Sequence, residues 1–358
     1  MKKLKIAMIC FVIFSAIFFG RVTTQIVDDV NMASAVGYDY AGGDRVKLTT
    51  VVPVFKPDKS VGNKTYAASD ELSKETLRKL NQSSSRKMVN GKLEVAVYSK
   101  ELAERGIGDI VDTLERDPSI SERLLVAIVD GDAEQLLKEK YGDRDTGVFL
   151  SMLIDQNIDS GLVPTYNFHN FLNNYYSKLS DPFLPLIQKN GKYVQIKGIA
   201  LFKDGRYIQN LKQEHQFVFK ALLEKLKLVT YKLKLDEDAF VAIEDINTRH
   251  KVRVKKIKGK PEVTVELTVK GIIRESKKIR TSEAAVERIR KGMEKQLEDQ
   301  ADEMIRTFQK AQIDPLGFGH EVRSRMRGFD YKKWLEQYPN LKIKVKTQVD
   351  ILEKGVIE

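Results

Sequence analysis

The feature that most constrains the fold is an uninterrupted apolar run at residues 124–129, Leu-Leu-Val-Ala-Ile-Val. A short run of this kind, ended by Asp130 and Gly131, is typical of a strand that is buried on both faces of a sheet. Such a strand needs other structure packed above and below it. The run therefore predicts an α/β or α+β domain built around a mixed sheet.

The flanking segments alternate between strand-like and helix-like patterns, as a sheet covered on both faces requires. Strand-like stretches alternate apolar and polar residues, whereas helix-like stretches repeat apolar residues every three or four positions. The predicted strands occupy residues 32–38, 46–55 and 93–98, the predicted helices occupy 71–80, 100–116, 133–141, 147–157 and 169–179, and residues 57–69 are predicted as a loop.

The second half of the chain has the clearest periodicity. Ser282 is predicted to cap a helix that runs to about residue 312, with one apolar stripe along its length. Half-exposed strands are predicted on either side of it, at 263–269 and 341–349, because apolar and polar residues alternate there. Before this region, we predict strands at 193–202, 228–235, 239–245 and 251–257, a hairpin turn at 203–206 and a helix at 213–226.

These patterns predict a mixed α/β (α+β) protein of three domains after an N-terminal signal or anchor segment. The chain has 358 residues, which is more than one typical hydrophobic core accommodates. The predicted divisions are an N-terminal mixed α/β domain at 22–190, a small α/β domain at 191–260 and a C-terminal domain at 261–358, in which antiparallel strands pack on the long helix.

The first 20 residues predict export. Three lysines precede an uncharged, almost wholly apolar stretch at residues 6–19, which is the pattern of a secretory signal. Gly20 is small enough for a cleavage site but Phe18 is not, so both a cleaved signal and an uncleaved anchor remain open. The single cysteine, Cys10, lies within the apolar stretch, and this excludes disulfides and thiol zinc sites from the predicted domains.

The chain is basic, with 61 Lys and Arg against 50 Asp and Glu and a net charge of +11. Nucleic acid, an anionic membrane surface and a lysine-rich soluble surface can each accompany such a charge. Only residues 251–260 concentrate it, so we do not expect a nucleic-acid partner. We predict that this stretch is the solvated face of an edge strand, with contact to anionic lipid headgroups as the alternative.

No arrangement of residues in the sequence indicates catalysis. The four histidines are scattered without metal-ligand spacing, and neither a nucleophile elbow nor a phosphate-binding loop occurs. The glycine pair Gly317 and Gly319 follows Asp314 and Pro315 rather than a strand, so a tight turn is the better interpretation than a dinucleotide site. We therefore predict a protein that is not an enzyme and that needs no cofactor or metal.

Several segments together carry a resemblance to a known family. Residues 195–205 read QIKGIALFKDG, residues 272–275 read IIRE, and residues 311–319 read AQIDPLGFG. Basic residues, Trp334, Tyr338 and Pro339 then follow in order. This succession resembles the C subunits of bacterial spore germinant receptors, the Ger(x)C family. The likeness is most specific over residues 190–358 and looser in the N-terminal half.

The resemblance implies an exported, non-enzymatic three-domain protein on the extracytoplasmic face of the spore inner membrane. It also implies that two integral membrane subunits, A and B, are partners in the response to nutrients. The family's lipid-bearing cysteine would fall at Arg21, so no lipidation site is predicted in this chain. A nutrient germinant is a possible ligand, and a nutrient-binding module that acts alone is the alternative function.

Two groups of residues follow from the resemblance as candidates. The turn after the long helix is predicted to be structural, or else to contact a partner, because loops on rigid scaffolds carry interactions. The residues of this motif are Gln312, Asp314, Pro315, Leu316, Gly317, Phe318, Gly319 and Trp334. The second family motif comprises Lys197, Gly198 and Phe202.

Overall fold

The computed structural model describes residues 29–257, 259–277 and 282–354, together with Met8, Phe11 and Phe14. The first ten strands in chain order are β1 (Val30–Met32), β2 (Ala35–Tyr40), β3 (Val46–Phe55), β4 (Val61–Asp70), β5 (Lys87–Val89), β6 (Val95–Ser99), β7 (Leu125–Val129), β8 (Phe183–Asn190), β9 (Tyr193–Lys203) and β10 (Arg206–Leu211). Eight of them form one sheet in the order β10-β9-β8-β7-β6-β2-β3-β4, while β1 pairs with β5.

The large sheet is mixed. Its centre, β2, β6, β7 and β8, is parallel, and antiparallel hairpins extend it at both ends. Seven helices accompany these strands and connect them to the second sheet: α1 (Ser73–Gln82), α2 (Lys100–Arg105), α3 (Gly108–Glu115), α4 (Ala133–Lys138), α5 (Thr146–Asp159), α6 (Phe168–Tyr175) and α7 (Gln216–Leu223).

Both faces of the large sheet are covered, as the apolar run at 124–129 predicts. On one face, Val97 and Ala127 pack with residues of α4 and α5 such as Leu136 and Leu150. On the other face, the large core cluster includes side chains of β6 and β7 together with residues of α2, α3 and α6. The four residues from 126 to 129 are all buried. The parallel centre is therefore inaccessible to water on both sides.

The second sheet contains four strands and one long helix. In chain order its elements are β11 (Val229–Lys234), β12 (Phe240–Ile257), β13 (Lys260–Lys277), α8 (Glu283–Ala311) and β14 (Lys342–Lys354), and the strand order is β11-β12-β13-β14. Two short helices, α9 (Phe318–Arg325) and α10 (Tyr331–Gln337), lie between α8 and β14. The Ser282 side chain accepts the Ala285 N–H and caps α8 as predicted.

The last strand corrects one part of the predicted fold. The C-terminal strands are not all antiparallel, because β14 pairs with β13 in parallel. The physical reason is the connection, since α8, α9 and α10 lie between the two strands and carry the chain back to the starting end of β13. Alternation in sequence gives the same pattern for either direction of pairing.

Three local predictions are also corrected. Of the loop predicted at residues 57–69, only 57–60 lie outside a strand, because β4 begins at residue 61 and pairs with β3 along ten residues despite Pro53 in β3. The helix predicted at 100–116 is two helices, since Gly106 adopts a φ of 121° that a helix cannot contain. The strands predicted at 239–245 and 251–257 are one strand, β12, which continues through an irregularity near residue 245.

The two predicted domain boundaries fall between paired strands. Residue 190 ends β8, whose neighbour β9 begins at Tyr193, and residue 260 begins β13, the neighbour of β12. The sheets thus continue across both positions, and the three-domain division stays a prediction. The signal segment lies outside the described residues except for Met8, Phe11 and Phe14. Among the described residues, no helix combines the length and the apolar character needed to cross a membrane.

Candidate functional site: the turn after the long helix

The family-like turn begins where α8 ends. Gln312 adopts a left-handed conformation, with a φ of 55°, and its N–H donates to the Gln309 carbonyl. The next N–H, from Ile313, donates to the Phe308 carbonyl at 3.0 Å. Left-handed residues end helices because they turn the following N–H groups back toward the last carbonyls. The chain therefore leaves α8 in a fixed direction.

Asp314 fastens this turn to the large sheet. Its backbone N–H donates to Asp181 Oδ2 at 2.6 Å, and the Asp181 N–H donates to the Asp314 carbonyl at 3.2 Å. Asp314 Oδ2 accepts the Gly319 N–H at 2.7 Å and so closes the turn. Asp181 lies just before β8, so these bonds join the end of the long helix to the edge of the first sheet's parallel core.

Both carboxyl groups lie in surroundings that disfavour their charge. Burial, opposed by backbone N–H groups and reinforced by Asp181, raises the pKa of Asp314 to about 7. Burial is also the main cause that raises the pKa of Asp181 to about 6. The Oδ1 atom of Asp314 is buried without a hydrogen-bond partner. The pair is therefore sensitive to protonation near neutral pH.

The remaining residues of the turn are packed inward. Pro315 and Phe318 are buried, Leu316 is half-buried, and Gly317 has the left-handed φ of 68° that the predicted turn requires. Gly319 is needed for a different reason. A Cβ atom there would lie 2.9 Å from the Leu179 carbonyl oxygen and 3.1 Å from Trp334 Nε1. Close backbone approach, rather than a positive φ, explains this second glycine.

Trp334 and Tyr338 complete the packing around the turn. The Trp334 side chain is buried, and its ring lies 5.2 Å from that of Tyr338. The Tyr338 hydroxyl donates to the Ile313 carbonyl at 2.7 Å. The candidate residues that the sequence singled out here thus converge on one junction, and only Gln312 among the eight is exposed. Whether this junction also contacts a partner stays a prediction.

The second family motif lies on β9. Lys197 is exposed and its Nζ contacts Asp130 Oδ2 at 2.5 Å. A Cβ atom at Gly198 would lie 3.0 Å from Gln216 Nε2, so this position has little room for a side chain. Phe202 is fully buried and meets Phe171 edge to face. Two of the three residues therefore support the packing of β9, the strand next to the edge of the sheet.

Lys203 brings the two motifs together. This residue ends β9, and its Nζ lies 3.3 Å from the Ala311 carbonyl and 3.5 Å from Gln312 Oε1. Carbonyl groups at the end of a helix have no partner within the helix and carry a partial negative charge. The lysine therefore caps α8 from the first sheet, across 108 positions of sequence.

A cleft of about 750 Å³ opens beside the junction, between α3, α6 and α9. Titratable and polar side chains line part of it, among them Glu115, His169, Tyr176, His320 and Arg323. His320 Nε2 is hydrogen-bonded to the Ser177 hydroxyl at 2.9 Å. Burial and the neighbouring Arg323 lower the pKa of His320. The volume suits a small molecule, and the mixed lining offers both hydrogen-bond donors and acceptors.

The outer face of the four-stranded sheet is strongly basic. Its opposite face packs on α8 through residues such as Val265 and Val345. On the outer face, Glu262 and Glu266 of β13 lie between two rows of basic side chains. These basic residues are Arg249, Lys251, Arg253, Lys255, Lys342, Lys344 and Lys346, all exposed. Ion pairs join Arg253 to Glu266 at 2.7 Å and Lys342 to Glu262 at 2.8 Å.

The placement of this basic stretch agrees with its sequence pattern. Strand β11 pairs with β12 only up to residue 246, so the following half of β12 has a neighbour on one side alone among the described residues. Residues 251–257 thus form an edge, as predicted, whereas Lys258 lies outside the described residues. Lysines on such an edge oppose strand pairing with other chains.

The comparisons with known proteins match both halves of this architecture. A family described as "Spore germination protein N-terminal domain" matches residues 23–189. A second, "Spore germination B3/ GerAC like, C-terminal", matches residues 197–355. The chain belongs to the Ger(x)C family of spore germination proteins. The resemblance carried by the motifs at 195–205 and 311–319 is confirmed.

Individual Ger(x)C relatives agree with this assignment. The spore germination protein GerQC of Bacillus cereus is 31% identical over 355 residues, covering 98% of this chain and 99% of that protein. The putative spore germination protein YfkR of Bacillus subtilis (strain 168) is 24% identical over 321 residues, covering 83% of this chain and 81% of the relative.

A solved structure shares the fold. The crystal structure of the GerBC protein superposes with a TM-score of 0.57 at 14% sequence identity, covering 88% of this chain and 96% of the GerBC chain. The mixed α/β architecture predicted from the sequence is therefore confirmed both by the strand order and by the fold shared with GerBC.

Sequence reasoning missed three contributors to this site. Asp181 has no signal in the sequence, because it lies 133 positions from the residue that it binds. Lys203 lay within the quoted motif, but its contact with α8 had no sequence signal. The scattered histidines of the sequence give no signal that His320 lines the cleft.

Proposed function

We propose that this Ger(x)C protein is a non-enzymatic subunit of a nutrient germinant receptor at the spore inner membrane. In this proposal it acts with integral membrane A and B subunits and is needed for the germination response. The observation that carries the proposal is that two family matches together span most of the chain, residues 23–189 and 197–355. The turn at residues 312–319 is used for internal packing, which suits a rigid scaffold better than a reaction centre.

The basic outer sheet face supports a position beside the membrane. Seven exposed basic side chains face two glutamates there, and each basic residue near an anionic bilayer contributes about 1 kcal/mol of attraction. The extracytoplasmic side follows from the export signal predicted at residues 1–20. Arg21 replaces the family's lipid-bearing cysteine, so the proposal relies on an uncleaved anchor, on this face or on partner subunits for attachment.

The decisive experiment is purification of a C-terminally tagged chain from detergent-extracted spore inner membrane, followed by mass spectrometry. We expect A- and B-type subunits to co-purify, and a gene deletion to impair nutrient germination. A chain that is recovered alone, together with normal germination of a deletion strain that lacks its paralogues, would contradict the proposal. The same spectra identify the N-terminus and so decide whether residues 1–20 are retained.

The membrane-facing surface has its own test. Reversing Lys251 and Lys344 to glutamate is expected to weaken sedimentation with anionic phosphatidylglycerol vesicles and to leave neutral vesicles unaffected. The matched control reverses Lys74 and Lys295, which are exposed on α1 and α8 away from this face. Equal losses in both double variants would mean that net charge, and not this sheet face, governs the attraction.

The cleft favours one second candidate, an extracytoplasmic nutrient-binding module that acts alone. Its volume and mixed lining fit an amino acid or a small sugar. Thermal unfolding of the purified chain with a panel of such nutrients discriminates the two functions. A stabilising nutrient whose effect disappears in Arg323→Gln, with no co-purifying subunits, would favour the second candidate over the first.

A further inference from the structure

A cluster of metal-ligand groups lies away from the turn and the cleft, where β10 ends. A short 3₁₀ helix, Gln213–His215, follows this strand and faces α8. His215 is only 2% exposed, and its Nε2 atom is buried without a hydrogen-bond partner. That atom lies 3.6 Å from Glu303 Oε2 on α8 and 3.9 Å from Glu214 Oε1. A buried imidazole nitrogen therefore points at two carboxylates.

We propose that Glu214, His215 and Glu303 bind a divalent transition-metal cation, with Zn²⁺ as the preferred ion. This inference is independent of the receptor function. An imidazole nitrogen with two carboxylate oxygens is a donor set suited to zinc and its neighbours, whereas Mg²⁺ and Ca²⁺ prefer oxygen alone.

The geometry is close to that of a zinc site with an open position. Two ligands at about 2.1 Å from a tetrahedral ion lie about 3.4 Å apart. The three donor atoms here lie within 4.8 Å of one another, and the contact from His215 to Glu303 is 3.6 Å. Both glutamate side chains are more than half exposed, so they are free to turn toward an ion bound at the imidazole nitrogen.

The ammonium group of Lys212 lies beside the two glutamates of the proposed site. The Nζ of Lys212 contacts Glu303 Oε1 and lies 3.8 Å from Glu214 Oε1. A divalent ion would replace this ammonium between the carboxylates, since the lysine side chain is more than half exposed and can move into solvent. Lys212 is thus a competitor, and its removal is expected to strengthen metal binding.

The site would fasten two parts of the fold. Two ligands come from the turn after β10, at the edge of the large sheet, and the third comes from α8, which packs on the other sheet. An ion bound only by the folded chain raises its stability in proportion to the logarithm of the ion concentration. Metal binding is therefore expected to raise the unfolding temperature of the whole chain.

The test is calorimetric titration of the full chain, free of a histidine tag and in mild detergent, with ZnCl₂ and with MgCl₂. We expect one saturable Zn²⁺ site that Mg²⁺ does not fill. Glu303→Gln is expected to weaken binding by about tenfold or more. His215→Ala should abolish it, and Lys212→Met should tighten it. Circular dichroism checks that each variant is folded.

The control is a second histidine and glutamate pair in the same chain. His169 Nδ1 lies 3.6 Å from Glu122 Oε2, the same separation, but both side chains are exposed, and no third ligand adjoins them in the part of the chain that the structure describes. His169→Ala should leave Zn²⁺ binding unchanged. Absence of saturable binding by the wild-type chain, or equal affinity in the wild type and Glu303→Gln, would overturn the proposal.

Discussion

Replacement of Gly319 by alanine tests whether the turn after α8 is a packing device. The new methyl carbon would lie 2.9 Å from the Leu179 carbonyl oxygen and 3.1 Å from both Leu179 Cβ and Trp334 Nε1. Contacts under 3.0 Å to a backbone atom cannot be relieved by a side-chain rotation. The helix α9 must therefore move away from the segment before β8, and the hydrogen bond from Gly319 to Asp314 lengthens with it.

Two effects of opposite sign determine how much Gly319→Ala changes the free energy of unfolding. Insertion of a methyl group into a well-packed interior costs about 1–3 kcal/mol. Part of this loss of stability is offset by the higher helix propensity of alanine. In a helix interior glycine is up to about 1 kcal/mol less favourable than alanine, and the offset is smaller here because Gly319 lies near the start of α9. The net expectation is a decrease of about 1–2 kcal/mol in the free energy of unfolding.

The fluorescence of a native tryptophan can report the effect of this substitution. Trp334 is the single tryptophan, and its indole nitrogen borders the space that the new methyl group would fill. Urea unfolding followed by tryptophan fluorescence measures the free energy, and the native emission maximum reports local rearrangement. We expect a lower urea midpoint and a red-shifted native emission in Gly319→Ala, because the indole loses part of its burial.

Gly91→Ala is the matched control, since no atom lies within 4 Å of its added Cβ and its stability should change by no more than about 0.5 kcal/mol. If Gly319→Ala is as stable as the wild type with unchanged fluorescence, the packing interpretation is refuted. If that stable variant also fails to support germination, the turn contacts a partner instead.

Three further perturbations follow from the structure. The raised pKa values of Asp314 and Asp181 mean that the folded chain keeps protons which the unfolded chain releases above about pH 4. The free energy of unfolding should therefore fall as the pH rises from 4 to 7. Urea unfolding at pH 5 and at pH 8 measures this fall, and Asp314→Asn should make it smaller by about 2 kcal/mol. Lys203→Met should lower the free energy of unfolding by about 0.5–1.5 kcal/mol, because the end of α8 loses its cap. Thermal unfolding measures this decrease. Gly147→Ala should lower the free energy of unfolding more than Gly319→Ala does, since its Cβ would lie 2.4 Å from the Ser34 carbonyl oxygen. Urea unfolding of both variants measures the two decreases. A smaller decrease for Gly147→Ala would contradict the packing of α5 on the start of β2.

Local periodicity in the sequence was sufficient to predict the central strand and the long helix. The run at 124–129 identified a central strand, and the apolar stripe with its Ser282 cap identified α8, because both signals come from residues that are close in sequence. Fold class followed from the same patterns. The family resemblance added the candidate residues of the turn, which composition and spacing alone would have left as an ordinary loop.

The errors arose where a neighbour in space decides the local structure. Residues 61–70 have little apolar alternation, yet they form β4 because β3 offers a free edge for pairing. Strand β14 is parallel because of the helices that precede it, and its own sequence fits either direction. A strand's partner and direction depend on topology, and a single segment does not encode them.

The sequence by itself determined most of the elements, the charged surface and the family, since each of these depends mainly on residue types and on short spacings. Only the tertiary structure brought Asp181 to Asp314, Lys203 to the end of α8, and His215 to Glu303. These pairs are separated by 133, 108 and 88 positions. Their contacts arise because the two sheets and the long helix pack together, and no periodic pattern along the chain records which distant side chains that packing places within a few ångströms.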